Sequence, residues 1–401
     1  MHDILKASIL APLLSILAIQ SVINTASYGL SVIAPEAAPA IGIAPESVGF
    51  LVSTVYFTAM VTGLASGVLV TRLGATRAFQ GMLLLVAGGI AALAASTPVT
   101  AYLGAMLIGL GTGPMNPAGS YVLARVSPPT WQPFIFSVKQ CGTPAGGMLA
   151  GVVLPPLMLA YDWRLAIAVI PAVAAILFLA APAGRLGRRE APPEGRRGDI
   201  VRGTLEALRV VLRDKLLRGF AVIGMVYAGV QVGFASYLVV YVWRKVGMSP
   251  AEAGLLFAVL HTGGIVARIV LGYLAGRYFT SQGMLVALGI VMSASYALAA
   301  TFSAAWPVAL VYVVIVVTGM SGNGWVGLYY AEIARLAPDG RTAEVAGGCQ
   351  FFMYSGIVSG PLLFGAVLNW TGSYVLCIGG LAAATLMATL YLQAIRKEAA
   401  G

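Results

Sequence analysis

Twelve long apolar segments recur along this chain of 401 residues, and they limit its possible folds more than any other feature. An α-helix needs roughly 20 apolar residues to cross a bilayer, and the segments have that size. The chain is 59% hydrophobic and 9% charged, whereas soluble domains carry about 25% charge. A water-soluble protein is therefore excluded, and we expect an all-α polytopic membrane protein. The predicted spans are residues 8–34, 47–71, 78–96, 100–124, 133–160, 164–182, 217–243, 251–275, 283–302, 306–335, 343–369 and 372–395.

The spans form two sets of six on either side of a basic segment. We expect residues 1–184 to form an N-terminal six-helix bundle, residues 185–216 a basic cytoplasmic linker and residues 217–401 a C-terminal six-helix bundle. All but three of the Lys and Arg outside the spans then fall on one side, which the positive-inside rule makes cytoplasmic. This predicts a bacterial inner-membrane protein with both termini in the cytoplasm, and it explains the net charge of +10 without nucleic acid. Within the linker, residues 203–215 are predicted either as an amphipathic helix on the membrane surface or as a solvated charge run.

The two halves repeat each other. An offset of 205 residues relates their early parts and an offset of 210 their later parts. Internal duplication is typical of secondary transporters, which bind substrate between the repeats, and we expect Gln140 and Gln350 at equivalent places. The aligned pairs are Gly49 with Gly254, Gly67 with Gly272, Arg72 with Arg277, Gly109 with Gly319, Arg125 with Arg335, Pro128 with Pro338, Gln140 with Gln350 and Gly146 with Gly356.

The loop after the second span, GVLVTRLGATR, resembles the signature GxLxDRxGRR of the major facilitator superfamily. A weaker copy, GYLAGR, follows the eighth span. The resemblance covers the whole chain and implies the twelve-helix major facilitator fold and alternating access between the halves. Thr71 and Gly276 stand where the family has an acidic gate residue, so Glu332 and Arg335 are expected either to supply a substitute ion pair with Arg277 or to be ordinary interfacial charges. The residues expected at the gate are Gly67, Arg72, Gly74, Arg77, Gly272, Arg277, Glu332 and Arg335.

Three ionisable side chains lie well inside the predicted spans, namely Lys139, His261 and Arg268, and none is acidic. Each is costly in a bilayer and is therefore a functional candidate. Arg268 follows His261 by seven residues, which places both on one helical face. Two cations without a buried carboxylate predict an anionic substrate. The alternatives are a snorkelling Lys139, a satisfied interior His261 and a structural Arg268.

The eighth span contains TGGIVARIVLGYLAG, which resembles the eighth helix of the monocarboxylate and oxalate–formate porters. In those porters an arginine followed four residues later by a glycine binds the substrate carboxylate, and Arg268 and Gly272 match that pattern. The resemblance therefore implies an organic-anion porter in which Arg268 is the anion ligand. It also implies that the fifth and eighth helices face one cavity, so Lys139 is expected to supply a second cation there.

Polar side chains at helical spacing complete the predicted substrate site. They form rows on the first, fourth, seventh and eleventh spans, and interhelical hydrogen bonding is the competing explanation for such rows. The full set expected to bind substrate is Arg268, Lys139, His261, Gln140, Gln350, Asn24, Tyr354, Gln231 and Asn116.

Other functions have weaker support in the sequence. The fifth span, KQCGTPAGG, resembles the glycine–proline signature of exporters, although Thr143 separates Gly142 from Pro144. The alternative function is therefore proton-coupled export of amphipathic drugs. An enzyme is disfavoured because only His2 and His261 are available and no buried acid accompanies them, and no ATP motif or other cofactor site is visible. A channel is similarly disfavoured. We expect a monomer in contact with lipids that carries an anion together with protons or a counter-transported anion.

Overall fold

The computed structural model is almost entirely helical over the residues that it describes, which are 7–128, 131–181, 200–275, 278–338 and 341–400. Side chains are described for most of these residues, the main exceptions being 64–72, 133–134, 200–204, 342–344 and 396–400. The α-helices, numbered in chain order, are α1 Ala7–Ile41, α2 Val48–Leu73, α3 Ala75–Ala94, α4 Pro98–Thr112, α5 Met115–Val126, α6 Gln132–Gln140, α7 Gly142–Ala160, α8 Trp163–Ala180, α9 Ile200–Arg213, α10 Lys215–Tyr241, α11 Pro250–Leu274, α12 Ser281–Ala299, α13 Val308–Leu336, α14 Thr342–Thr371 and α15 Tyr374–Ala400.

The all-α polytopic fold expected from the sequence is confirmed. Among the described residues, ten helical regions are long and apolar enough to cross a membrane. The helix α2 and the consecutive pair α4 and α5 provide two further regions of comparable length. This is consistent with the twelve predicted spans.

Local capping groups explain where several of these helices begin. Thr97 and Thr100 form a reciprocal capping box at the start of α4, and Ser249 and Glu252 form another at the start of α11. Each box satisfies backbone N–H groups that have no partner within the helix. Gly74, with φ of +81°, is the single residue between α2 and α3, and only glycine adopts this conformation without strain. The tight turn expected after the second span is therefore present at Gly74.

The fourth and fifth spans differ from the prediction, because both are interrupted. The fourth is divided into α4 and α5 at Gly113 and Pro114, and the fifth into α6 and α7 at Cys141. Pro114 has no N–H to donate to the carbonyl of Leu110, and Pro144 likewise has none for Gln140. The equivalent helices of the second half, α13 and α14, are continuous.

The chain divides into two compact units, residues 1–197 and 198–401. In the first unit α1 packs on α7 and α4 packs on both α2 and α3. In the second unit α10 packs on α14 and α13 packs on both α11 and α12. The same pairs of spans are therefore in contact in both units. The predicted boundaries of the bundles and linker remain a prediction, since residues 182–199 lie outside the described residues.

Close helix contacts in the two units follow the offsets of the sequence repeat. A side chain at Gly109 in α4 would collide with the carbonyl group of Val55 in α2. A side chain at Gly319 in α13 would collide with the carbonyl group of Leu260 in α11. The glycines are 210 residues apart and their partners 205 apart, so each unit forms the same contact from the corresponding residues.

The predicted linker helix is present as α9, but one of its faces packs against protein. Ala207 and Val211 are buried, and a Cβ atom at Gly348 of α14 would lie 2.7 Å from the carbonyl oxygen of Ala207. The helix ends before the predicted residue 215 because Asp214 caps the next helix, its carboxylate accepting a bond of 2.8 Å from the backbone N–H of Leu217. Contact of the outer face with lipid remains a prediction.

Candidate functional site

Lys139 is a buried cation in the first unit, with only 2% of the residue exposed. Its Nζ donates to the backbone oxygen of Asn116 at 2.9 Å, to Oδ1 of Asn116 at 3.0 Å and to Oγ of Ser120 at 3.2 Å. All three acceptors are neutral oxygens on α5. A snorkelling lysine would expose its ammonium group to water, so that alternative is wrong for this side chain.

The two helix interruptions meet at Lys139. Asn116 lies in the first turn of α5, Lys139 in the last turn of α6 and Thr143 in the first turn of α7. From α1, Gln20 donates its Nε2 to Oγ1 of Thr143 at 2.9 Å and to Oδ1 of Asn116 at 3.4 Å. The partial negative charge at the end of α6 also favours the ammonium group there. We call Gln20, Asn116, Ser120, Lys139 and Thr143 the lysine cluster.

The ammonium group fixes the direction of the hydrogen bonds in the lysine cluster. Because an ammonium group only donates, the side-chain amide of Asn116 must turn its oxygen toward Lys139. The same oxygen accepts from Gln20, so the amide of Gln20 must present its nitrogen. Oε1 of Gln20 is then a buried acceptor to which no described group donates. The cluster is therefore able to accept one more hydrogen bond.

No carboxylate neutralises Lys139 within the part of the chain that the structure describes. The ion pairs found there are Arg164 with Asp162 and Arg335 with Glu332. A buried ammonium group that contacts only neutral oxygens keeps a strong attraction for an anion, because the surrounding medium screens it weakly. The lysine cluster is therefore suited to bind a carboxylate.

Arg268 forms a second cluster in the other unit, together with residues of α10 and α13. Its Nε donates to the backbone oxygen of Asn323 at 3.0 Å. Gln231 donates its Nε2 to Oδ1 of Asn323 at 2.7 Å and accepts from Nε1 of Trp325 at 3.1 Å. We call Gln231, Arg268, Asn323 and Trp325 the arginine cluster. Both predicted residues in it, Arg268 and Gln231, thus contact the same asparagine.

Close packing between α11 and α13 positions Asn323. A Cβ atom at Gly264 would lie 2.5 Å from Cβ of Asn323, so only glycine allows the two helices to approach this closely. Trp325 is held by a second bond of 3.0 Å from its Nε1 to the backbone oxygen of Gly322. The ring of Tyr227 packs edge-on against Trp325 with 5.6 Å between the centroids. The arginine cluster is therefore supported by a rigid aromatic surface.

His261 lies on α11, seven residues before Arg268, and is 1% exposed. Its ring packs against Phe257 with 4.6 Å between the centroids. His261 is therefore buried within the second unit. Its part in substrate binding remains a prediction.

The other predicted substrate ligands are placed less distinctively. Asn24 is buried and donates its Nδ2 to the backbone oxygen of Gln20 on the same helix at 2.8 Å, which agrees with the alternative that such rows serve structural hydrogen bonds. Gln140, Gln350 and Tyr354 are half-buried, and their roles remain predictions. Lys139 and Arg268 belong to different units, so their expected cooperation also remains a prediction.

Part of the predicted gate can be located. Nε of Arg335 donates to the carboxylate of Glu332 at 2.9 Å, and Glu332 is buried whereas Arg335 is exposed. Arg77 is exposed at the start of α3 and Gly272 is exposed on α11. The side chains of residues 64–72, which include Arg72, and all of Arg277 lie outside the described residues, as does the environment of Gly67. The ion pair between Glu332 and Arg277 therefore remains a prediction.

Several cluster residues were not predicted as ligands. Gln20 and Ser120 belong to polar rows in the sequence, and Thr143 interrupts the exporter-like motif, so each left a weak signal. Asn323 lies 210 residues after Gly113, and its neighbours Ser321, Gly322 and Gly324 are small. The asparagine is thus a larger polar side chain within a run of small residues. For Trp325 the sequence carries no signal, because an aromatic residue in an apolar helix is usually a packing residue.

Comparison with known proteins gives one consistent result. A family model described as Major Facilitator Superfamily matches residues 16–361. The hexuronate transporter of Bacillus subtilis (strain 168) is 23% identical in an alignment of length 307 that covers 71% of this chain and 71% of that protein. A solved POT family transporter in complex with 5-aminolevulinic acid is similar with a TM-score of 0.78 and 13% identity over 96% of each chain. A single-residue variant of the E. coli fucose:proton symporter, FucP, is similar with a TM-score of 0.65 and 16% identity, over 97% of this chain and 99% of that one.

Proposed function

Because the chain belongs to the major facilitator superfamily, and is thus a transporter and not an enzyme, we propose that it moves a small organic anion with a carboxylate group. Transport takes place by alternating access between the two six-helix halves. The observation that supports this best is the environment of Lys139, whose buried ammonium group is held by neutral oxygens alone.

The charge on Lys139 is difficult to explain by structure alone. A charged lysine inside the membrane is costly, by about 2.5 kcal/mol at a helix centre on insertion scales, and an uncharged side chain would also fill the space. The bonds to Asn116 and Ser120 compensate part of the desolvation but leave the charge unneutralised. A substrate carboxylate supplies the missing negative charge and takes the place of the longest bond, that to Ser120.

Arg268 supports the same substrate class from the second half. Its guanidinium group is charged at any physiological pH and has a planar arrangement of donors that matches a carboxylate. The bond from Nε to the carbonyl of Asn323 fixes the plane of the group. The pattern of Arg268 followed by Gly272, which resembles the carboxylate porters, supports this role as well.

The matched relative agrees with this proposal. The Bacillus protein is named as a transporter of hexuronate, and a hexuronate is a sugar acid with one carboxylate. At 23% identity the relative suggests a chemical class of substrate for this chain and no individual compound.

We also propose the remaining features of the transporter. It works as a monomer in a bacterial inner membrane with both termini in the cytoplasm, and it couples the anion to protons or to a second anion.

The substrate class is tested with pairs of compounds that differ only in charge. Purified protein is incubated with small carboxylic acids and with their uncharged amides, and binding is measured by thermal shift and equilibrium dialysis. We expect the acids to stabilise the protein, because a ligand that binds only the folded state raises its stability. Stabilisation by amides, amines or amphipathic cations and none by any acid would contradict the proposal.

A further inference from the structure

The amide group of Gln20 is used only in part within the lysine cluster. Its nitrogen donates to Thr143 and Asn116, but its oxygen is buried and receives no hydrogen bond from any described group. Gln231 in the second unit shows the contrast, because its nitrogen donates to Asn323 and its oxygen accepts from Trp325. Leaving a buried acceptor without a donor is unfavourable, because the group has lost its hydrogen bond to water.

The position of this acceptor relates it to the bound anion. Nζ of Lys139 and Nε2 of Gln20 each lie within 3.4 Å of Oδ1 of Asn116, so the ammonium and the amide are at most two such bonds apart. A carboxylate on Lys139 would therefore bring the next few atoms of its own chain close to the amide of Gln20.

We propose that the lysine cluster selects carboxylates with a hydroxyl group a few atoms away, and that this hydroxyl donates a hydrogen bond to Oε1 of Gln20. The inference rests on the proposed function, because it requires the carboxylate to bind at Lys139. It goes further by assigning the substrate to the hydroxy acids and by giving Gln20 the role of recognising the hydroxyl.

The charge of Lys139 determines which kind of donor fits. An amino acid would place its ammonium group beside that of Lys139, and like charges in a weakly screened interior repel each other. A hydroxyl group is a neutral donor and avoids this repulsion. An acid without any donor would leave Oε1 of Gln20 unsatisfied after binding, because the bound ligand excludes water from it.

The test uses butyrate and its 2-, 3- and 4-hydroxy derivatives together with 2-aminobutyrate, with equilibrium binding to the purified full-length protein. Because a neutral hydrogen bond contributes about 0.5 to 1.5 kcal/mol, at least one hydroxy acid should bind about 2- to 10-fold more tightly than butyrate. The amino acid should bind more weakly than butyrate. In Gln20→Met, which keeps the length of the side chain and removes the amide, the ratio of the two affinities should fall to about one.

The matched control is Gln80→Met, since Gln80 lies in the same unit and donates to the carbonyl of Phe178 instead. This variant should keep the wild-type ratio. Equal binding of butyrate and all three hydroxy acids to the wild-type protein would overturn the inference and leave the proposed function intact, and this measurement needs no variant. A wild-type ratio that Gln20→Met preserves would also overturn the role of Gln20. If no acid binds at all, the proposed function fails and the inference fails with it.

Discussion

The lysine cluster and its counterpart in the second half come from corresponding spans, which are interrupted in the first half and continuous in the second, and they differ in chemistry. At an offset of 210, Lys139 corresponds to Cys349 and Gly119 to Tyr329. A Cβ atom at Gly119 would lie 3.1 Å from Cε of Lys139, so the glycine makes space for the lysine. In the second half the fully buried side chain of Tyr329 interacts with Cys349. The same helix pair therefore holds a charged group in one half and an aromatic ring in the other.

The first helices of the two halves, α1 and α10, also differ in chemistry at corresponding positions. A Cβ atom added at Gly146 of α7 would collide with the carbonyl group of Ser21 in α1, and one added at Gly356 of α14 would collide with that of Met225 in α10. Ser21 and Met225 are 204 residues apart, so this offset relates α1 to α10. Gln20 then corresponds to Gly224, against which the hydroxyl group of Tyr329 packs. A large aromatic ring beside a glycine replaces a long polar side chain, and the interior is filled in both halves.

The arginine cluster shows the reverse relation. Arg268 corresponds to Gly63 at an offset of 205, and Asn323 corresponds to Gly113 at an offset of 210. A Cβ atom at Gly63 would lie 3.4 Å from the carbonyl oxygen of Gly113, and Arg268 donates to the carbonyl oxygen of Asn323. Lys139 in the first half thus corresponds to a cysteine in the second, and Arg268 in the second half corresponds to a glycine in the first. The repeated fold requires neither cation, because each half forms the same helix contacts without the cation of the other. A difference between the halves that the fold does not require is expected to serve function.

Removing the charge of Lys139 should have the largest effect on acid binding. The protein should still fold, because the second half has an uncharged residue at the corresponding position. Losing one charge-assisted contact costs about 1.5 to 3 kcal/mol, so Lys139→Met should weaken binding of the preferred acid about 10- to 150-fold. Stability should stay the same or rise. The measurement is equilibrium binding together with thermal unfolding, and the control Lys245→Met, at an exposed lysine, should leave both unchanged. Unaltered affinity in folded Lys139→Met would make the lysine cluster a structural feature.

Gly319→Ala tests the part that the two halves share. The added Cβ would collide with the backbone carbonyl of Leu260, and backbone cannot move aside as a flexible side chain does. Overpacking of this kind costs about 1 to 3 kcal/mol, so the unfolding temperature should fall. Gly327→Ala is the control on the same helix, because no atom lies within 4 Å of the new Cβ. If the two variants unfold at the same temperature, the close contact of α13 with α11 is not present in the protein.

Arg268→Lys separates charge from geometry in the second half. Lysine keeps the charge but lacks the Nε donor that bonds to Asn323 and the planar fork that matches a carboxylate. We expect affinity for the acid to fall about tenfold in both Arg268→Lys and Arg268→Ala, which corresponds to roughly 1.4 kcal/mol. Arg218→Lys, at an exposed arginine, serves as the control. Full affinity in Arg268→Lys would show that Arg268 contributes only its charge.

The sequence predicts the fold better than the sites, because the patterns that indicate the fold extend over many residues whereas a site depends on single side chains. Twelve apolar segments and two repeat offsets extend over the whole chain, so errors at single residues do not alter the result. The interruptions at Pro114 and Cys141 were missed, because prolines are tolerated in membrane helices and their presence alone does not predict a break. Lys139 and Arg268 could be chosen as candidates from the sequence because a charge in a membrane is rare. Their neutral partners, such as Asn323, depend on contacts between spans that periodicity does not reveal.

Trp325 should give the smallest effect, and it tests whether an unpredicted residue supports the arginine cluster. Trp325→Phe removes an N–H group that donates to Oε1 of Gln231 at 3.1 Å and to the backbone oxygen of Gly322 at 3.0 Å. Both acceptors would lose a donor in the interior, which costs about 1 kcal/mol, whereas the phenyl ring keeps most of the packing against Tyr227. Thermal unfolding should show a small loss, and binding of the acid should weaken about two- to fivefold, because Gln231 helps to hold Asn323 against Arg268. Trp370→Phe, at a residue 87% exposed, should change neither quantity, so a loss confined to stability in Trp325→Phe would separate the tryptophan from the binding site.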